Sequence, residues 1–113
     1  MSKRDLALLL EDMLVAAHKI QKYTAAMAYD DFIADDKTVD AVVRNFEIIG
    51  EAANRVDPDY RLNNPAIEWK RIRGFRNRIV HDYFGIDYRI VWSIVENDID
   101  ELIFQLKLLL EEQ

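Results

Sequence analysis

Apolar residues recur at helical spacing along nearly the whole chain. Leu6, Leu9/Leu10, Met13, Ala17, Ile20, Thr24 and Met27 step by three or four and form one stripe. The pattern predicts a first helix from about Lys3 to Ala28. Asp30-Asp31-Phe32-Ile33-Ala34-Asp35-Asp36 breaks the period, and Asp35 or Asp36 suits the N-cap of the next helix. A second stripe runs through Val39, Val42/Val43, Phe46, Ile49, Ala53 and Val56 and ends before Pro58. Both prolines fall between Asp57 and Pro65, which reads as the one clear loop. Asn64-Pro65 then reads as N-cap and first turn of a short helix through Ile72. Gly74 separates it from a helical turn carrying Phe75 to Tyr83, and Gly85 marks a helix end. Asp87 caps a last long helix, with its stripe at Val91, Ile94/Val95, Asp98/Ile99, Leu102, Leu106 and Leu109/Leu110, ending near Glu111. No segment shows period-two alternation bounded by turn residues, so no strand is expected. The expected fold is all-α: an antiparallel up-and-down four-helix bundle with an additional short helix, in one domain over residues 1–113. Gly50, in mid-helix, is explained by close approach of another backbone, within the bundle or across a dimer.

Composition narrows the chemistry. The chain of 113 residues has no cysteine, so disulfides and thiol chemistry are excluded. Its longest apolar run, Leu6 to Leu10, is far too short to span a membrane. The N-terminus does not read as a signal peptide, and the expected compartment is the cytoplasm. Fifteen Lys and Arg stand against 21 Asp and Glu, a net charge of −6. Yet Lys70-Arg71-Ile72-Arg73-Gly74-Phe75-Arg76-Asn77-Arg78 holds five cations and no acid, so the remainder carries 10 cations against 21 acids, or −11. One concentrated basic island on an acidic body can hold a phosphate locally; its cations can equally pair with the surplus acids.

Two histidines offer proton chemistry. His18 lies in the first helix among lysines and reads as structural or simply exposed. His81 follows the basic island. Imidazole exchanges protons near neutrality, and guanidinium forks onto phosphate oxygens. Arg76 and His81 thus form a workable pair for metal-independent phosphodiester cleavage. On one straight helix Arg76 and His81 would lie about 140° apart, while Arg76 aligns with Tyr83 and Arg78 with His81. A compact site would then need either a short helix that Arg76 can wrap around or two copies meeting across a twofold axis. Asp30, Asp31, Asp35 and Asp36 are better explained by capping than by a metal. Arg44 and Glu51 suit an inward polar network or an ordinary surface pair. Trp69 and Trp92 read as core or interface residues.

The spacing Arg76-x4-His81-x-Tyr83, with polar Asn77 after the Arg, resembles the Arg-x4-His-x-Tyr signature of the HepT-like proteins of the HEPN superfamily. Arg44-Asn45, Ile49-Gly50-Glu51-Ala52-Ala53-Asn54, Ile67-Glu68-Trp69-Lys70 and Val91-Trp92 also look like this family, so the resemblance covers about residues 4 to 110. It implies an all-α homodimer with the signature segments facing one another. It implies a metal-independent endoribonuclease toxin of a type VII toxin–antitoxin system, needing no cofactor. The implied partners are an RNA substrate and an MntA-type nucleotidyltransferase antitoxin that transfers AMP onto Tyr83; neither membrane nor DNA is expected as a partner. Carried over, Arg76 holds the scissile phosphate, His81 is the general acid/base, Asn77 orients them, and Arg73 and Arg78 support RNA binding. With the ribose 2′-OH as nucleophile, the product is a 2′,3′-cyclic phosphate. The alternatives are a non-catalytic subunit presenting nucleotide to a nucleotidyltransferase, and a scaffolding helical dimer.

Overall fold

A computed structural model describes residues 1–81 and 85–113, with His81 described by its backbone alone. The chain is mostly helical. Helix α1, Lys3–Thr24, starts at Ser2, whose hydroxyl accepts from the Asp5 N–H. It ends four residues before the expected Ala28. Ala26 takes a left-handed φ of 63°, which a continuing helix does not allow. Helix α2, Tyr29–Ile33, fills part of the expected break. Helix α3, Asp36–Arg55, is capped by Asp35, as the sequence suggests. The Thr38 hydroxyl and N–H both donate to the Asp35 carboxylate and hold its pKa below the ordinary value.

The region read as a loop contains a helix. Asp57 caps α4, Pro58–Asn63, with Pro58 in its first turn. The cap-and-proline start expected at Asn64-Pro65 therefore occurs seven residues earlier, and α5 is only Trp69–Arg73. Gly74 separates α5 from α6, Phe75–Ile79. Helix α6 stops short of Tyr83 because Val80 turns extended, at φ −107° and ψ 118°. Val80–His81 (β1) pairs antiparallel with Gly85–Ile86 (β2), against the expectation of no strand. Two features escape a period-two search. Each strand is two residues long, and Gly85 enters at φ 73°, a conformation glycine adopts freely. The Asp87 N–H, 2.7 Å from the Ile79 carbonyl, closes this ribbon onto the end of α6.

The expected single last helix is two, α7 (Tyr88–Asn97) and α8 (Ile99–Glu111). They divide at Asp98, whose Oδ2 receives Arg71 Nε at 3.0 Å and Nη2 at 2.9 Å. That fork ties α5 to the α7–α8 junction.

Packing follows the stripes. Helix α1 lies between α3 and α8, and α3 also carries α5 and α6. Leu10, Met13, Ile20, Val42, Phe46, Ile49, Phe75, Ile94 and Leu106 are fully buried. Phe46 and Phe75 meet edge-to-face at 5.1 Å and fix α6 on α3. Both tryptophans join the packing, as expected. Trp69 is buried and donates from Nε1 to the Asn64 carbonyl; Trp92 rests on Phe32 with centroids 5.1 Å apart. Among the described residues no helix is long and apolar enough to cross a membrane.

Gly50 marks a close backbone approach within this packing. A Cβ there would lie 3.1 Å from the Ile72 carbonyl oxygen and 3.7 Å from that of Arg73, so α5 rests directly on the α3 backbone. Gly50→Leu should destabilise the fold by about 1–3 kcal/mol, the usual range for overpacking. Urea denaturation checks this; an unchanged midpoint would contradict the close-approach reading.

Candidate phosphate-binding site

The basic island does not form one continuous helix face. The short helices α5 and α6 turn at Gly74 and distribute its cations around a ridge. On the α3 side lies a cleft of about 660 Å³, bordered by Lys70, Arg73 and Arg76 and by Glu47, Glu51 and Asn54 of α3. The α3 residues recur at helical spacing around Gly50, so the glycine that lets α5 approach also brings their polar stripe opposite the cations.

The cations in this cleft are held differently. Arg73 Nε donates to Asn54 Oδ1 at 3.0 Å, a neutral acceptor that orients the guanidinium without cancelling its charge. Arg76 Nε lies 3.8 Å from Glu47 Oε1, and the Arg76 side chain is 69% exposed. An exposed pair at that distance contributes at most about 1 kcal/mol, so an incoming phosphate can displace Glu47. Arg71, by contrast, is committed to Asp98. The surplus acids therefore neutralise only part of the island.

The sequence-derived residues divide as follows. Arg73 and Arg76 share the cleft. Asn77 is exposed on α6. Arg78 lies on the other side of the ridge, in a second depression. The backbone of His81 pairs with Gly85 just beyond the end of α6. The role assigned to the His81 side chain, and Tyr83 itself, lie outside the described residues. The straight helix on which Arg76 would align with Tyr83 and Arg78 with His81 ends at Ile79. Helix α6 is short, with only three of its residues following Arg76.

The remaining candidates are placed as follows. Arg44 is exposed, in keeping with the surface alternative, while its neighbour Asn45 is buried and donates to the Ala41 carbonyl at 2.8 Å. Glu51 borders the cleft from an exposed position. His18 is exposed, as anticipated. Two of the clustered aspartates act as helix caps: Asp31 accepts from the Ala28 N–H and Asp35 from Thr38. Sequence reasoning passed over Glu47 and Asn54. Their signal was the polar stripe Glu47, Glu51, Asn54 flanking a mid-helix glycine.

Comparison with known proteins identifies the family. The family model described as ribonuclease HepT-like matches residues 13–109. A protein of Methanocaldococcus jannaschii bearing a provisional RNase name is 40% identical over 102 residues, covering 90% of this chain and 94% of the relative. A Thermococcus cleftensis protein named "Probable ribonuclease HepT" is 39% identical over 93 residues, covering 82% of this chain and 84% of the relative. A Caldanaerobacter subterraneus protein, again with a provisional RNase name, is 34% identical over 104 residues, covering 92% and 93%. No solved structure matches the chain. A mostly helical chain matched by this family model over residues 13–109, and by relatives along most of its length, belongs to the ribonuclease HepT-like family.

Proposed function

We propose that this protein is a metal-independent endoribonuclease, the toxin of a type VII toxin–antitoxin pair, built as a homodimeric four-helix bundle. One observation carries the reading: Arg76, from the Arg-x4-His signature of a family of ribonucleases, stands exposed and weakly paired in a cleft it shares with Lys70 and Arg73.

The chemistry follows from the residue types. The ribose 2′-oxygen attacks the adjacent phosphorus as its proton passes to a neutral imidazole. The P–O5′ bond breaks, and the leaving oxygen takes a proton from an imidazolium. In a twofold dimer the two copies of His81 supply the two protonation states to one groove. Arg76 faces the extra negative charge on the pentacoordinate phosphorus, where its fixed positive charge stabilises the transition state more than the ground state. Asn77 orients the phosphate or the imidazole. Holding the 2′-OH against phosphorus supplies several kcal/mol through proximity. The protein acts in the cytoplasm, and DNA, lacking the 2′-hydroxyl, is not cut. An intact Arg76/Asn77/His81 set favours this reading over a nucleotide-presenting subunit or a scaffold, neither of which needs a titratable group beside the cations.

Control falls to Tyr83. A nucleotidyltransferase partner adds AMP to its hydroxyl, and the new phosphate competes with RNA for the arginines and fills the groove with negative charge.

Purified protein should cleave RNA in excess EDTA, and His81→Ala should lower the rate by at least about 10²-fold, as expected for loss of acid/base catalysis. Cleavage that EDTA abolishes, or that survives His81→Ala, would sink the mechanism. Co-expression with the cognate nucleotidyltransferase should add the mass of AMP to Tyr83, and Tyr83→Phe should keep its nuclease activity in the partner's presence. AMP found on another residue would refute that assignment.

A further inference from the structure

The ridge formed by α5 has a second flank. A depression of about 880 Å³ lies there, bordered by Arg61, Lys70, Arg71, Arg73 and Arg78 with one acid, Glu68. Five cations against one acid make it more positive than the first cleft, where Glu47 and Glu51 offset three cations. On a chain of net charge −6 such a concentration attracts a polyanion against the background field.

Not all five charges are equally available. Arg71 is held by Asp98. Arg61 Nη1 donates to the carbonyls of Ala53 and Asn54, at 3.0 and 3.3 Å, at the end of α3. Those contacts position Arg61 through neutral acceptors and leave its charge unpaired by them. Arg78 lines the depression while its Nη1 is buried with no acceptor among the described residues, so it contributes its charge there and no carboxylate cancels it at that atom.

The two clefts adjoin across the ridge. Lys70, Arg73 and Gly74 border both. Asn54 links the arginines of the two flanks, its carbonyl accepting from Arg61 and its side-chain oxygen from Arg73. The result is a cationic path from Arg61 over the α5 ridge to Arg76. Beside it stand Leu62, 78% exposed, and Pro58, an apolar wall against which sugars or bases can rest.

We infer that the second cleft binds the phosphate backbone of the RNA strand flanking the cleavage point, so that the strand crosses the α5 ridge between the two clefts. The inference rests on the ribonuclease reading for the identity of the polyanion; the path itself follows from the cations. Its contacts are to phosphates, so it supplies affinity and register without base specificity.

Leu62 allows a test that leaves the core and the catalytic cleft alone. In the His81→Ala background, a single-stranded RNA oligonucleotide is titrated at several salt concentrations. Leu62→Glu should raise Kd on the order of tenfold, and Leu62→Lys should lower Kd several-fold and steepen its dependence on salt, since each added phosphate contact releases a counterion. Equal Kd values and salt slopes for both variants, or no RNA binding at all, would overturn the inference. If RNA binds with this charge dependence but the unsubstituted protein does not cut it, the second cleft stands as a phosphate site and the ribonuclease reading fails.

Discussion

The contact on which the site depends is the approach of α5 to the backbone of α3 at Gly50. A Cβ at this position would crowd the Ile72 carbonyl oxygen at 3.1 Å, so any other residue would push α5 back from the helix. Its consequences spread from one point. The last turn of α5 is pinned on α3, Gly74 turns the chain, and Phe75 reaches Phe46 in the core. Cations that would form a loose surface cluster on a free helix are then held opposite the α3 polar stripe. The Arg71–Asp98 fork fixes the other side of the same short helix. A five-residue helix has little stability of its own, so its position comes wholly from these tertiary contacts.

Charge is handled by unequal commitment. One arginine of the island is spent on structure through Asp98. Arg73 and, outside the island, Arg61 are oriented by amide and carbonyl oxygens, which direct a guanidinium without neutralising it. Arg76 has only a distant, solvent-screened carboxylate. An acidic protein can thus keep a usable positive face. Glu47 and Glu51 at the cleft edge offset part of the charge of Lys70, Arg73 and Arg76.

Much of the fold is legible in the apolar spacing. The α1 and α3 stripes correspond to buried residues nearly position by position, and Asp35 and Asp87 cap the helices they precede. What escaped has local causes. Ala26 ends α1 in a left-handed conformation that periodicity cannot signal. Asp98 divides the last helix without disturbing its stripe, because its partner, Arg71, is distant in sequence. The Val80–His81 ribbon is too short for alternation to register. For the site, residue types and the Arg76-to-His81 spacing were enough to raise phosphate chemistry, and the family match over residues 13–109 supports it. Helical geometry was the wrong guide past Ile79, whereas within α6 it does set Arg78 on the flank opposite Arg76, since residues two apart lie about 200° apart round the helix.

The central claim is that Arg76 and His81 act together on a phosphate attacked by its own neighbouring hydroxyl. Its most direct test is an RNA carrying a single 2′-deoxy nucleotide immediately 5′ to the mapped cleavage point, compared with its all-ribose counterpart by end-group analysis. The account predicts a 2′,3′-cyclic phosphate end from the all-ribose strand and no cutting at the deoxy position. Undiminished cutting there would contradict it.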